Sequence, residues 1–266
     1  MGNEDDDMAE SNLFETYPGN ESHMKDYVAY QQRYVDNIRE SDRVILGIVN
    51  ELLGQLARSA AAPELLDIGC STGNLLRHLK RAFPSLTLVG GDLSDVQLDV
   101  CRKDPELRGI SFVRADLKAL PPDRKYDLIV ANAILYGFEQ TAFAQCIASI
   151  SGALKPHGSL LAFDFFHPWQ QELAIVEKTR AFPDGHPLHF RSYGSTESIL
   201  KKAGFGRVEF RPFAIPIDLA GLAHTDERIQ THTVTTAAGE RLLFRGAICQ
   251  PWCHLVATLG TGPANR

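Results

Sequence analysis

Leu-Leu-Asp-Ile-Gly-Cys-Ser-Thr-Gly-Asn occupies residues 65–74 and is the stretch that decides the fold. An apolar run ends at an acid, a loop of small residues follows, and the next residues have the apolar spacing of a helix. A strand that turns through glycines into a helix leaves backbone N–H groups and the positive end of the helix dipole beside a cleft. The stretch therefore predicts a site that binds a polar or charged ligand, with Asp67 as a carboxylate for an ammonium group.

Strands and helices alternate on both sides of this turn. Residues 24–57 have helical spacing, and Ser41-Asp42 is a candidate cap, so one helix and two helices are both compatible with this segment. Strand patterns follow at 65–68, 86–90, 110–113, 127–130 and 159–163, with helical patterns at 74–83, 95–103 and 140–154. This alternation predicts an α/β fold with a doubly wound, mostly parallel sheet. Ligands of such sheets bind at the carboxyl ends of the strands.

The last third of the chain has a different pattern. We expect a helix at 168–179, a loop rich in proline and histidine at 180–192, and a helix capped by Ser195 that ends at Gly204. A strand is expected at 208–213 and a β-hairpin at 231–236 and 241–246. The final strand is expected at 252–259.

Acids recur where the early strands end. Asp92 closes the second strand, 23 residues after Gly69, and a carboxylate there can accept both hydroxyls of a ribose. Asp116 closes the third strand, where it can accept from an exocyclic amine. Asp127 opens the fourth strand, where we expect it to have a structural role, and Asn132 ends that strand. A single aspartate at a strand end usually caps a helix, but three in this register are hard to explain by capping.

From about residue 60 to 165 the pattern resembles the class I S-adenosylmethionine-dependent methyltransferases. The resemblance implies a seven-stranded sheet with an N-terminal helical lid and a small β-hairpin insertion. S-adenosylmethionine is the implied cofactor. One departure is Ser71, which stands at the middle glycine of the family's loop. The implied cofactor-binding residues are Asp67, Gly69, Cys70 and Gly73 at the methionine end, Asp92 and Leu93 at the ribose, Asp116 and Leu117 at the adenine, and Asn132 and Ala133 after the fourth strand.

Two other protein families have glycine motifs similar to this one. A nicotinamide-binding Rossmann protein has Gly-x-Gly-x-x-Gly, whereas here the glycines are Gly69 and Gly73 with three residues between them. Gly69-Cys70-Ser71-Thr72-Gly73 also matches the nucleophile elbow of a serine hydrolase, with Ser71 as the nucleophile. Only about 64 residues precede the turn, which leaves little room for the upstream strands of that fold. An RNA or protein methyltransferase and a non-catalytic cofactor-binding scaffold stay open as alternatives.

The methyl acceptor is expected above the ends of strands four and five. A small metabolite fits the partly aromatic composition of that region, with methylation at O or N favoured over carbon. His167 is the candidate general base because its unperturbed pKa is about 6.5. Alternatively, His167 is a surface histidine that caps the next helix. Tyr136 is grouped with it as catalytic, and the candidate substrate-binding residues are Phe165, Phe166, Trp169, His189 and Tyr193.

Composition limits the remaining possibilities. The 266 residues are 44% hydrophobic and carry a net charge of −6. Five of the acidic residues lie in the first ten residues of the chain. We expect an acidic, disordered tail at 1–23, a helical lid at 24–58 and a methyltransferase-like domain at 59–266 with an insertion at about 214–248. The five scattered cysteines indicate reduced thiols and a cytoplasmic location. We expect a small-molecule acceptor, a monomer or homodimer, and neither a metal, a membrane nor a nucleic-acid partner.

Overall fold

A computed structural model describes residues 28–56, 62–178, 185–219, 231–235, 239, 241–245 and 248–260. The predicted acidic tail at 1–23 lies outside these residues. The division into tail, lid and domain stays a prediction. None of the helices in the described ranges is both long enough and apolar enough to span a bilayer.

Helices and strands alternate through the first two thirds of the chain, as the sequence predicts. The helices are α1 (Glu40–Gln55), α2 (Asn74–Ala82), α3 (Asp95–Lys103), α4 (Gln140–Ala153) and α5 (Tyr193–Lys202). The strands of this part are β1 (Glu64–Ile68), β2 (Thr87–Asp92), β3 (Ser111–Arg114), β4 (Tyr126–Asn132) and β5 (Leu154–His167). The later strands are β6 (Leu173–Glu177), β7 (His186–Ser192), β8 (Phe205–Pro212), β9 (Thr231–Thr235), β10 (Arg241–Arg245), β11 (Ile248–Cys249) and β12 (Trp252–Leu259).

Most of these strands form one large mixed sheet. Its order is β3-β2-β1-β4-β5-β12-β8, and β7 and β6 extend it from the end of β5. Neighbours from β3 to β5 are parallel, whereas β12 is antiparallel to both β5 and β8. The doubly wound, mostly parallel fold is confirmed. The main path has the seven predicted strands, and two further strands bring the sheet to nine.

Helices cover both faces of the sheet. One apolar core lies between the sheet and α1, α2 and α3, and includes Ile45, Leu76 and Leu98. The other lies between the sheet and α4 and α5, and includes Phe143 and Leu200. Central parallel strands are buried on both faces, which explains why they are continuous apolar runs in the sequence.

Three expectations about local structure are wrong. Residues 168–179 do not form a helix, because 173–177 pair with β7 as strand β6. Residues 186–192 are strand β7 rather than loop. The cap of α5 is Ser192, whose Oγ accepts from the backbone N–H of Ser195 at 3.2 Å.

The N-terminal helical segment is divided, but Ser41-Asp42 is not the cap. Residues 32–34 form a 3-10 turn and α1 begins at Glu40 with Arg39 at its N-cap. Asp42 therefore lies inside the first turn, where it is buried. The predicted hairpin is confirmed as β9 and β10, and β11 pairs with β10 to complete a three-stranded sheet.

Candidate functional site

At two positions, the loop after β1 has a backbone conformation that glycine adopts more easily than any other residue. Gly69 and Gly73 have φ angles of +75° and +77°. A Cβ atom on Gly69 would collide with the side chain of Ile134, and one on Gly73 would lie 2.6 Å from Leu107 Cδ1. Both left-handed geometry and lack of space therefore require glycine. Ser71, at the departure from the family pattern, also has a positive φ of +53°.

Hydrogen bonds hold this loop against the end of β2. The N–H groups of Gly69 and Cys70 donate to the carbonyl oxygen of Gly91 at 2.7 and 3.0 Å. The Ser71 N–H donates to Asp92 Oδ2 at 2.9 Å, and the Ser94 N–H donates to Asp92 Oδ1 at 2.9 Å. Asp92 thus fixes both the glycine loop and the start of α3. Burial raises the pKa of Asp92, and these N–H groups oppose that shift.

Two further carboxylates, Asp67 and Asp42, lie close to this loop. Asp67 is 2% exposed, and burial raises its pKa well above the usual range, with Asp42 and Asp92 adding to the shift. Asp42 comes from α1 and is 1% exposed. Its Oδ1 accepts from Asn132 Nδ2 at 2.9 Å. The predicted cofactor residue Asn132 therefore contacts the N-terminal helix.

The remaining predicted cofactor residues lie along the same edge of the sheet. Asp116 follows β3, and its Oδ1 accepts from the Lys118 N–H at 2.8 Å. Leu117 is 3% exposed and packs in the core beneath this turn. Leu93 follows Asp92, and Ala133 follows β4 with a φ of +55°. The glycine loop, Asp92, Asp116 and Ala133 thus follow four adjacent parallel strands.

A 3-10 turn at Leu135–Gly137 follows β4 and is held from two sides. The Asp164 carboxylate accepts from the N–H groups of Leu135 at 2.7 Å and Tyr136 at 3.0 Å. The Arg191 guanidinium donates to the carbonyl of Leu135 at 3.1 Å and to that of Phe138. Burial raises the pKa of Asp164 to about 6 against the opposing effect of its N–H donors and Arg191.

Aromatic rings form a wall beyond this turn. Phe165 stacks on Phe190 with ring centroids 4.6 Å apart, and lies 4.2 Å from Trp252. Tyr136 packs on Phe165 at 5.4 Å and on Trp252 at 6.4 Å. These four residues, called the aromatic wall below, come from the turn after β4 and from strands β5, β7 and β12.

His167 ends β5 and lies on the same face of that strand as Phe165. It is 0% exposed, and neither ring nitrogen has a hydrogen-bond partner among the residues that the structure describes. Its ring packs on Trp169 at 4.7 Å, and Trp169 itself is 46% exposed. The surface-capping alternative is therefore wrong. A buried imidazole without a partner is costly unless a ligand completes its hydrogen bonds.

Three predicted substrate residues lie apart from the aromatic wall. Phe166 packs in the core beside α4 and α5. Tyr193 stacks on Phe210 at 4.2 Å and donates to Cys253 Sγ at 3.8 Å in the same core. His189 alternates with Phe190 along β7 and so points to the opposite side. Burial, and then Arg191, lower the pKa of His189.

Sequence reasoning missed Asp42 as a site residue, and also Arg191, Phe190 and Trp252. Asp42 was interpreted only as a cap. Arg191 and Phe190 lie in a segment interpreted as a loop, and the strand alternation Leu188-His189-Phe190-Arg191 is the signal that could have revealed β7.

Comparisons with known proteins agree with this geometry. Residues 65–158 match a family described as a methyltransferase domain. Malonyl-[acyl-carrier protein] O-methyltransferase of Priestia megaterium is 30% identical over 154 residues, which are 57% of this chain and 52% of that protein. The chain is therefore similar to methyltransferases over β1 to β4 and the start of β5. Demethylmenaquinone methyltransferase of Thermus thermophilus is 32% identical over 125 residues, 46% of this chain and 56% of that protein. The chain spans about half the length of these curated relatives.

Solved structures share the fold of this chain at low sequence identity. Human N-acetylserotonin methyltransferase in complex with S-adenosylmethionine matches with a TM-score of 0.59 and 15% identity, over 95% of this chain and 60% of that chain. The 1,6-didemethyltoxoflavin-N1-methyltransferase of Burkholderia thailandensis matches with a TM-score of 0.54 and 15% identity, over 89% and 86%. S-adenosylmethionine is the cofactor that this class implies.

Proposed function

We propose that this protein is a methyltransferase that transfers the methyl group of S-adenosylmethionine to an oxygen or nitrogen atom of a small molecule. The observation that carries the proposal is the row of ligand-binding features at the ends of adjacent parallel strands. The glycine loop follows β1, Asp92 ends β2 and Asp116 follows β3. Backbone N–H groups, a ribose-binding carboxylate and an amine-binding carboxylate fit the three parts of this cofactor.

The residues present fit the cofactor in chemical terms. Asp67 and the loop from Gly69 to Gly73 would hold the methionine end. Asp92 would accept the ribose hydroxyls, because each of its oxygens retains a lone pair beyond the backbone bond that it accepts. When bound, the cofactor supplies an electrophilic methyl group carried on a sulfonium. The protein then has to align the acceptor and exclude water.

The aromatic wall is the proposed acceptor surface. Its rings offer flat apolar area on which a small organic acceptor can stack. His167 is the proposed general base, since it lies one strand period beyond Phe165 and its ring nitrogens are unpaired among the described residues. It would take the proton of a hydroxyl or ring N–H as the methyl group is transferred. The malonyl-[acyl-carrier protein] O-methyltransferase among the relatives supports transfer to oxygen.

The first experiment uses methyl-labelled S-adenosylmethionine with the purified protein and a fractionated cell extract. We expect label in the small-molecule fraction. Label in RNA or protein instead would overturn the acceptor class while leaving the cofactor in place. Tight binding with no label in any fraction would favour a non-catalytic scaffold.

A variant connects this activity to the proposed site. Asp92→Ala should weaken S-adenosylmethionine binding about tenfold or more, because it removes a charged acceptor of ribose hydroxyls and loosens the loop at Ser71. Asp95→Ala, an exposed carboxylate three residues away in α3, is the matched control. Calorimetric titration measures both. Equal affinity of Asp92→Ala and wild type would contradict the ribose assignment.

A further inference from the structure

Asp42 is a buried carboxylate on helix α1, close to the proposed cofactor site. Its Oδ1 accepts from Asn132 Nδ2 at 2.9 Å, and its Oδ2 lies 3.6 Å from Arg39 Nη1. The side chain of Asp42 is 2% exposed, whereas that of Arg39 is 27% exposed. Arg39 is therefore at salt-bridge distance from Asp42 but partly in solvent, and Arg39 and His78 both lower the pKa of Asp42 without overcoming the effect of burial.

The contact with Asn132 fixes where Asp42 lies relative to the sheet. Asn132 is the last residue of β4, and β4 pairs in parallel with β1 so that Asp67 is opposite Val130. Asp42 consequently lies over the carboxyl ends of β1 and β4, next to Asp67. The carboxylate of Asp42 also acts on Asp67 electrostatically and raises its pKa.

Asp67 provides an independent indication that a ligand belongs here. It is 2% exposed, and the groups that act on its pKa are burial and two neighbouring carboxylates, Asp42 and Asp92, with no cation among them. Buried carboxylates are normally paired with a cation or hydrogen-bonded. A buried carboxylate without a cation on β1, beside one on α1 whose cation is partly in solvent, is an arrangement that an organic cation would complete.

We propose that Asp42 and Asp67 together bind the ammonium group at the methionine end of the cofactor. The inference rests on the proposed function, because it assumes S-adenosylmethionine as the ligand. Asp67 belongs to the glycine loop region that defines the class, whereas Asp42 is contributed by the helix that precedes it. Binding of the cofactor thereby joins α1 to the ends of β1 and β4.

The proposal has a consequence for the protein without ligand. Burial raises the pKa of Asp42, which means that its charge opposes folding until a cation arrives. Replacement by the neutral, isosteric Asn should therefore leave the melting temperature equal or higher. A residue with a purely structural role would lower the melting temperature when replaced.

The experiment compares three ligands by calorimetric titration of wild type, Asp42→Asn and Glu40→Gln. S-adenosylmethionine and S-adenosylhomocysteine carry the ammonium group, and 5′-methylthioadenosine lacks the amino-acid end. Asp42→Asn should weaken the first two about tenfold to hundredfold, as expected for loss of a bond to a charged group, and leave the third within about twofold. Glu40→Gln removes a carboxylate two residues away that pairs with Arg43, and should bind all three ligands as wild type does.

Each other outcome has a defined meaning. Unchanged affinity of Asp42→Asn for S-adenosylmethionine, or an equal loss for all three ligands, would overturn the role of Asp42. If Asp42→Asn does not fold, Asp42→Ser replaces it, and failure of both would also overturn the proposal because removal of the charge should not destabilise the protein. Failure of the wild type to bind S-adenosylmethionine would instead contradict the proposed function.

Discussion

Asp164 is buried at the end of β5, and three backbone N–H groups donate to its carboxylate. Besides those of Leu135 and Tyr136, the N–H of Phe165 donates to Oδ1 at 2.8 Å. These bonds favour the charged form, but complete burial outweighs them and the pKa rises to about 6. The same carboxylate positions the turn that carries Tyr136 into the aromatic wall.

The raised pKa of Asp164 predicts a pH dependence of stability. Between its ordinary pKa near 4 and the folded value near 6, the folded protein binds the proton more tightly than the unfolded chain. The contribution of Asp164 to the free energy of unfolding therefore falls as pH rises through this interval, by up to about 3 kcal/mol. Asp164→Asn lacks this titration.

Urea denaturation of wild type and Asp164→Asn at pH 4, 5, 6 and 7 measures the effect. The difference in unfolding free energy, wild type minus variant, should fall from pH 4 to about 6 and be nearly flat above that. The exposed exchange Asp95→Asn controls for the loss of one carboxylate. A difference for Asp164→Asn that is constant across the series would count against the raised pKa.

The segment before α1 is fastened to α2 by polar contacts at the level of whole elements. Asn74 Nδ2 donates to the carbonyl of Gln31 at 2.9 Å and to its Oε1 at 3.1 Å. His78 Nε2 lies 3.3 Å from the Tyr34 carbonyl oxygen. Because α2 begins at the glycine loop, these contacts hold residues 31–34 close to the proposed cofactor site.

Loss of the Asn74 contacts should loosen this segment before any other. In Asn74→Ala, amide hydrogen exchange at residues 28–34 should accelerate about fivefold to tenfold, which corresponds to about 1 kcal/mol for a lost hydrogen bond. Exchange in β1 and β4 should not change. Lys80→Ala, on the exposed end of the same helix, is the control. Equal acceleration throughout the protein would indicate general destabilisation instead.

At the scale of the whole molecule, an ion pair joins the two parts added to the central sheet. Arg245 on β10 donates to Glu177 on β6 through Nε at 2.7 Å and through Nη2 at 3.1 Å. This bidentate pair connects the three-stranded sheet to strands β6 and β7, and Ile248 of that sheet packs against the cluster of Phe165, Leu188 and Phe190. The three-stranded sheet thus supports the proposed acceptor side.

We expect Arg245→Gln to affect the proposed acceptor side and not the proposed cofactor site. Limited proteolysis should cut residues 231–249 faster than in wild type, because a geometrically specific pair is lost. The affinity for S-adenosylmethionine should stay within about twofold of wild type, since a hydrogen-bond loss far from the cofactor site adds little to its binding free energy. Arg207→Gln, which breaks an exposed pair with Glu209 on β8, is the control. A parallel loss of cofactor affinity would show that the two sides are coupled.

The sequence by itself determined the features that depend on local chemistry. Gly69 and Gly73 are needed by a backbone with positive φ, and apolar runs followed by helical spacing define β1 to β5 with their helices. The acids at the ends of the second and third strands follow from the same register. Each of these signals lies within a few residues, so it can be recognised without knowledge of the rest of the chain.

Only the tertiary structure decided the features that depend on distant partners. Residues 173–177 are a strand because β7 pairs with them. The stability of such pairing depends on the partner strand, so the sequence of a short segment does not predict it. Asp42 reaches Asn132 across 90 residues, and Arg191 reaches Leu135 across 56. A buried polar side chain is stable only where its partner is brought to it. The placement of Asp42, Asp164 and Arg191 therefore follows from packing, and their chemistry becomes visible only in the folded chain.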